Sequence, residues 1–419
     1  MTPQIKQRIE QIRRGEVPEG YKKTKVGIVP SEWEETRFKK MFSRLSRKNK
    51  ENNDNVLTIS AQHGLISQRE FFNKDIASED KSNYFLLHKG EFAYNKSYSN
   101  GYPFGALKRL DMYDKGIVSP LYICFSANEN NECPDFYVHY FEAGMMNREI
   151  QAFAQEGARN HGLLNISVDD FFNSYLLMPP RPEQEKISEI LSAQDKLIAL
   201  KEKLIEEKKR QKKALMQQLL TGKKRLPGFS GDWVNVKLGD VFTERVETNC
   251  QELELLSVTG ANGVVPRSTI ETKDNSSEDK SKYLKICKGD IGYNTMRMWQ
   301  GVSALSDYEG IVSPAYTILI PSDTISAKYF SYLFKMHAVI FLFYRFSQGI
   351  LDDTRSLKYY EFAKLHLTFP SDKKEQEAIA DILTIADKEL EILQKDLDQE
   401  KQKKKALMQL LLTGIVRVK

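Results

Sequence analysis

Apolar and polar positions follow a helical beat over two long stretches of this chain, residues 183–222 and 375–414. They read EQEKISEILSAQDKLIALKEKLIEEKKRQKKALMQQLLTG and EQEAIADILTIADKELEILQKDLDQEKQKKKALMQLLLTG, equal in length and without a gap. In the second, Ile379, Leu383, Ala386, Leu390, Leu393, Leu397, Glu400, Lys404, Leu407 and Leu411 follow alternating steps of four and three. That is a heptad seam, apolar except at Glu400 and Lys404. In the first, Ile187, Leu191, Ile198, Ile205, Leu215 and Leu219 are apolar, while Gln194, Lys201, Lys208 and Lys212 interrupt. Neither stretch has an interior Gly or Pro, and both are rich in good helix formers. Glu-Gln-Glu in the first turn suits the helix dipole, and Gly222 and Gly414 are helix stops. At about 1.5 Å per residue each helix spans roughly 58 Å. Such a helix cannot bury its stripe alone, and its nearest partner is the other copy, so the pattern predicts a two-helix coiled coil within one chain.

The repetition extends beyond the helices. Trp33 matches Trp233. Leu57-Thr-Ile-Ser-Ala-Gln-His-Gly64 matches Leu256-Ser-Val-Thr-Gly-Ala-Asn-Gly263. Ser-Glu-Asp-Lys-Ser recurs letter for letter at 78–82 and 277–281, and Gly-Ile-Val-Ser-Pro at 116–120 and 310–314. Lys89-Gly90 leading to Tyr94-Asn95 recurs as Lys288-Gly289 leading to Tyr293-Asn294. Blocks in the same order mean a tandem duplication, a globular domain and then a long helix, twice. Short apolar runs between turn signals predict strands at 56–60, 91–94, 118–125 and 174–178, with counterparts at 255–259, 290–293, 312–320 and 365–369. Apolar positions at helical spacing predict helices at 136–154 and 327–346. Residues 163–170 add a short strand and turn. Residues 2–15 read as a partial helix near the long pair, and 19–33 as an ordered connector without an element of its own. The fold class is α+β: two tandem pseudo-symmetric domains, each followed by a long helix, the two helices forming an antiparallel coiled coil. The expected division is a basic N-terminal segment at 1–21, a first domain at 22–181, a first helix at 182–222, a second domain at 223–373, and a second helix with the tail at 374–419.

Composition changes the picture only a little. The 419 residues carry a formal net charge of +5, which permits a nucleic-acid partner without demanding one. The first twenty residues are charged and lack the apolar core of a signal peptide, and no run approaches a membrane span. Cys124, Cys133, Cys250 and Cys287 have no CxxC spacing and read as reduced thiols rather than disulfides or zinc ligands. The expected compartment is therefore the cytoplasm.

Catalytic constellations are not visible. There is no GxxxxGK[ST] or GxGxxG phosphate loop, no HExxH or CxxC cluster and no GxSxG elbow. His63 and His161 sit in polar loops, and neither has a histidine at the matching place of the other half. What the sequence does offer is a polar-aromatic loop after a strand in each half. Asn95, Lys96, Tyr98 and Asn100 are the candidates in the first, and Asn294, Arg297 and Gln300 in the second. A further cluster precedes each long helix: Arg159, Asn160 and His161 against Thr354 and Arg355. Asn, Gln, Arg and Lys can read base edges, and Ser, Thr and Tyr can position on phosphate. The other reading is two ordinary solvated loops, with Tyr94 and Tyr293 in the cores. The basic runs at 208–213 and 401–405 read as solvated helix faces, or as a stripe facing phosphate or a partner.

The connector GYKKTKVGIVPSEW at 20–33, its counterpart LPGFSGDWVNVKLGDVF at 226–242, the exit MPPRPEQE at 178–185 and the helix ending ALMQQLLTG at 214–222 together resemble the specificity subunit of type I restriction–modification enzymes. The likeness spans nearly the whole chain. One departure is the second exit, FPSDKKEQ at 369–376, which lacks the double proline. The resemblance implies two target recognition domains, each reading one half of a split, asymmetric DNA target, with antiparallel helices holding them a fixed distance apart. It implies no catalysis and no cofactor in this chain. Its partners would be double-stranded DNA, two modification subunits carrying the S-adenosylmethionine site, and two restriction subunits using ATP and magnesium, with no membrane. Two rivals remain: a coiled-coil scaffold that binds only proteins, and a DNA enzyme with an unrecognised site.

Overall fold

The computed structural model describes residues 2–60, 64–72, 80–98, 101–156, 164–260, 262–271, 276–349, 351 and 354–418. The chain divides into two compact units. The first comprises Met1–Leu200 with Leu397–Lys419, and the second Lys201–Asp396. Each unit therefore holds one globular domain together with one end of each long helix.

In the first unit an antiparallel sheet runs in the order Phe42–Leu45, Ile123–Ala127, Phe92–Asn95, Ala106–Arg109. Side chains alternate across a strand, and both faces of this sheet are covered. Phe92, Tyr94, Ile123 and Phe125 enter a large aromatic core, while Ala93 and Cys124 face a smaller one with Leu57, Leu65 and Leu87. Burial on both faces explains why Phe92, Ala93 and Tyr94 are all buried in succession. The second unit repeats the sheet as Phe242–Glu244, Tyr316–Pro321, Ile291–Asn294, Ser303–Leu305. There Ile291, Tyr293 and Leu319 face the larger core, and Ile318 the smaller one with Leu256 and Val258. The architecture is α+β in both units, and Tyr94 and Tyr293 are core residues, as the solvated-loop reading held.

Several predicted elements divide. The strand expected at 118–125 is two strands, Lys115–Val118 and Ile123–Ala127, and that at 312–320 is Gly310–Val312 and Tyr316–Pro321. Pro120 and Pro314 lie in the gaps, where a residue without an N–H cannot continue a ladder. The helix expected at 136–154 is Pro134–Glu142 and Asn147–Phe153, broken at Gly144, whose φ is +69°. That expected at 327–346 is Ala327–Leu333 and His337–Phe346, broken where Met336 turns to extended backbone. The connector contains an element after all: Tyr21–Lys23 pairs with Ile28–Pro30 as a small hairpin. Leu164–Asn165 is a short strand, followed by a helix, Val168–Asn173, capped by Ser167, rather than by a turn. Pro3–Arg13 is a helix, and Arg8 ties it to the end of the second long helix by donating to the Ile415 carbonyl (2.6 Å).

The long helices are Arg181–Leu219 and Lys373–Leu411, each 39 residues. Their apolar ends are absorbed into the domain cores. Ile187 and Leu191 pack in the first core with Met408, Leu411 and Leu412, and Leu407 lies against it. Leu219, Leu220, Ile379, Ala380 and Leu383 pack in the second, with Leu215 against it. Ile205 and Leu397 are buried, while Ile198, Leu390 and Leu393 are half-buried. The polar residues that interrupt the seam turn out to be its cross-helix pairs. In the first unit Gln194 donates to the Glu400 carboxylate (2.6 Å), and Lys404 pairs with Asp195 (2.5 Å). In the second, Lys201 pairs with Asp396, Lys208 with Glu389 and Lys212 with Asp387. In the second unit residues 201, 208 and 212 meet 396, 389 and 387, rising against falling, so the pairing is antiparallel.

Candidate nucleic-acid interface

Each unit builds its first loop on an interior strand of its sheet, the third of four. In the first unit the loop leaves the Phe92–Asn95 strand and returns on Ala106–Arg109. In the second it leaves Ile291–Asn294 and returns on Ser303–Leu305. Both exits are Asx turns: Asn95 Oδ1 accepts the Ser97 N–H (3.1 Å), and Asn294 Oδ1 accepts that of Met296 (3.0 Å). These two amide oxygens shape the loop rather than face outward. Both returns pass through a left-handed glycine, Gly105 at φ +81° and Gly301 at φ +79°. A Cβ on Gly105 would lie 2.2 Å from the Asn95 carbonyl oxygen, and one on Gly301 would lie 2.7 Å from Ile340 Cδ1. Only glycine fits either place.

The residues that follow the second predicted loop are hydrogen-bonded to the first loop at matched points. The Lys96 carbonyl accepts the Leu164 N–H (3.0 Å), and the Thr295 carbonyl accepts the Leu357 N–H (2.8 Å). In the second unit the second loop is closed by Gln348 and Ser356, which exchange backbone hydrogen bonds of 2.8 and 2.7 Å. In the second half the structure thus brings the two predicted clusters together, although they are far apart in sequence.

Side chains then differ between the halves. In the first, Tyr98 is exposed, and Lys96 is half-buried, with its amine pushed below the usual lysine range by burial. Asn100, Arg159, Asn160 and His161 lie outside the described residues. In the second, Arg297 and Gln300 are exposed, with Arg297 reaching Gln300 Oε1 (3.4 Å). Thr354 Oγ1 donates to the Leu351 carbonyl (2.9 Å), capping its own turn. Arg355 lies over the Tyr344 ring (4.1 Å), and Trp299 meets the same ring edge-on, with centroids 6.1 Å apart. Tyr344 comes from the His337–Phe346 helix, so it escaped a reading confined to loops. A guanidinium on an aromatic face gains about 0.5–1 kcal/mol at an exposed site and holds its fork in one plane.

Two joints tie the long helices to the loop-bearing domains, and they too are matched. Arg417 chelates Glu183 (2.6 and 2.8 Å), whose Oε2 also accepts the Trp33 indole N–H (2.9 Å). Arg225 chelates Glu375 through two bonds of 2.7 Å beside Trp233. Gly414 and Gly222 are both at φ +70°; a Cβ would lie 3.1 Å from the Trp233 ring at Gly222, and 2.5 Å from Pro30 and 3.2 Å from the Trp33 ring at Gly414. The signal was in the sequence: the repeat continues past LLTG, with arginine three residues after each glycine.

Among the described residues no cluster of His, Cys, Asp and Glu is arranged to hold a metal ion, and no helix is long and apolar enough to cross a membrane. All four cysteines are free thiols.

The family model described as the type I restriction modification DNA specificity domain matches twice, at residues 30–210 and 230–401. The type I restriction enzyme MjaVIII specificity subunit of Methanocaldococcus jannaschii is 26% identical over 332 residues, covering 73% of this chain and 75% of its own. The MjaX specificity subunit of the same organism is 22% identical over 424 residues, covering 96% and 97%. Among solved structures, one reported for complex assembly and conformational transition of a type I system is 14% identical, with a TM-score of 0.55 and 93% and 99% of the two chains covered. The type I system S subunit from M. genitalium, also 14% identical, has a TM-score of 0.53 and covers 90% and 96%. These structural likenesses concern the fold alone.

Proposed function

This chain belongs to the type I restriction modification DNA specificity family, and from that premise we propose that each of its loop pairs reads one half of a split, asymmetric DNA target. The observation that carries the reading is the matched backbone frame with unmatched side chains. Asx turn, left-handed glycine and a backbone hydrogen bond onto the first loop from the residue after the second recur in both units, whereas Lys96 and Tyr98 stand where the other half has Thr295, Arg297 and Trp299. A frame kept while its reading side chains change is what two readers of different sequences require. The division into domains at 22–181 and 223–373, joined by helices at 182–222 and 374–419, belongs to the same reading. So does a spacer role for the helices, whose polar cross-pairs fix register.

The chain acts without catalysis or cofactor of its own. Two modification subunits bring S-adenosylmethionine, and two restriction subunits bring ATP and magnesium, in the cytoplasm. Exposed leucines at 197, 200 and 204 on the first long helix, and isoleucines at 385 and 392 on the second, supply apolar stripes that suit docked partner helices. The test is binding of variants to DNA altered in one half-site at a time. Arg297→Ala or Arg355→Ala should lower discrimination at one half-site by about 1–3 kcal/mol, and Lys96→Ala or Arg159→Ala at the other. Uniform weakening across sequences would mark a phosphate contact instead. Parental binding by all four variants would remove these loops from the interface.

A further inference from the structure

The end of the Pro134–Glu142 helix and the turn just after the Ala327–Leu333 helix carry matched residues of opposite charge. His139 and Tyr332 set the alignment. The His139 ring shares a hydrogen bond with Ser192 (3.0 Å) and lies 3.7 Å from Asp195. Tyr332 bonds to Thr384 (3.2 Å) and Asp387 (2.8 Å), which occupy the matching places of the helical repeat. Three residues further on stand Glu142 and Lys335, after the buried pair of Phe141 and Phe334.

Both residues reach the return side of the first loop. Glu142 accepts the Tyr102 hydroxyl (2.7 Å) and pairs with Lys108, which also donates to the Tyr102 oxygen (2.9 Å). Lys335 donates to the carbonyls of Gly301 (2.7 Å) and Ser303 (2.6 Å). Gly301 ends the turn that carries Arg297, Trp299 and Gln300, and Tyr102 stands three residues before Gly105. A half-buried ammonium between two carbonyls replaces, in the second half, a carboxylate between a hydroxyl and an ammonium in the first. Each arrangement satisfies its charge locally. Neither residue is on the loop it holds.

We propose that Glu142 and Lys335 are positioning residues for DNA reading, each fixing the return side of its own unit's reading loop and so setting discrimination at one half-site only. The proposal rests on the reading of the loops given above. It explains why the position is charged in both halves yet opposite in sign: the anchor matches the loop it must hold, and the two loops differ.

The test uses the full chain assembled with its modification subunits, and measures methylation of duplexes with an intact target or with one half-site altered. Lys335→Met keeps the apolar stem and removes the donor, and Lys335→Arg restores one. Lys335→Met should lower discrimination at one half-site about tenfold, the order of one good base contact, and leave the other unchanged. Lys335→Arg should recover most of it, and Glu142→Leu should show the converse half-site pattern. If Lys335→Met fails to assemble, the half-exposed Glu142 carries the test. Parental discrimination in both single-site variants, or equal loss at both half-sites, would overturn the proposal. A parent complex that methylates without sequence preference would overturn the reading of the loops, and this inference with it.

Discussion

The joint between Arg225 and Glu375 gives the sharpest test of how a long helix is locked to its domain. The Glu375 carboxylate is 1% exposed, and both its oxygens are bound by one guanidinium at 2.7 Å. Arg225→Met removes the partner and leaves a buried charge unpaired. Breaking a buried pair in this way costs about 3–5 kcal/mol. The Arg225 side chain is 31% exposed, so water can enter the vacated side and reduce the cost to about 2–3 kcal/mol. Pairing the change with Glu375→Leu removes the stranded charge and should bring the loss down to about 1 kcal/mol, much of it the acidic first turn given up at the helix N-terminus. Hydrogen exchange of the amides at 373–383 reads the second unit by itself. In Arg225→Met those amides should exchange about 30- to 150-fold faster, since every 1.4 kcal/mol is tenfold. The double variant should fall close to the parent. Exchange in Arg225→Met at the parental rate, or a double variant as fast as the single, would refute the argument.

Two further perturbations follow from the same geometry. Adding one heptad to both long helices, after Lys203 and after Lys395, keeps the seam in phase and adds about 10.5 Å, or roughly three base pairs of duplex. It should weaken binding and shift selection toward a longer gap, because three base pairs also rotate the second half-site by about 100° and the DNA must twist to comply; selection from a library of gaps checks this, and an unchanged gap contradicts the spacer role. Burial pushes the Lys335 amine down to about 8 from its ordinary 10.5. The unfolded chain therefore binds more protons between those values, and stability should rise as pH climbs through them. The rise is at most roughly 3 kcal/mol, and less because two carbonyls hold the ammonium; urea midpoints should show Lys335→Met losing this alkaline gain, and an identical slope in both proteins would contradict it.

The duplication and the long helices were legible because they rest on local signals: identical blocks, heptad spacing and glycine stops. The polar interruptions at Gln194, Lys201, Lys208 and Lys212 were legible only as interruptions. Their acidic partners lie on the other helix, and no single-stretch pattern pairs Lys201 with Asp396. Strand and helix boundaries failed where one residue outweighs a run, at Pro120, Pro314 and Gly144. The loops were found by their residue types. Their convergence in the second unit was not, since it rests on one backbone hydrogen bond between segments far apart in sequence. Lys335 had a signal that went unread: a lone charge between Phe334 and Met336 in an apolar run. Such a residue needs a partner when buried, and the partners proved to be carbonyls at the return of the first loop.

Mapping methylated adenines in DNA exposed to the assembled complex tests the central claim most directly. Two different readers in one chain predict a single motif of two short, unlike elements separated by a gap of fixed length and unspecified sequence. Methylation within one continuous element, at two identical elements, or without any shared sequence would contradict it.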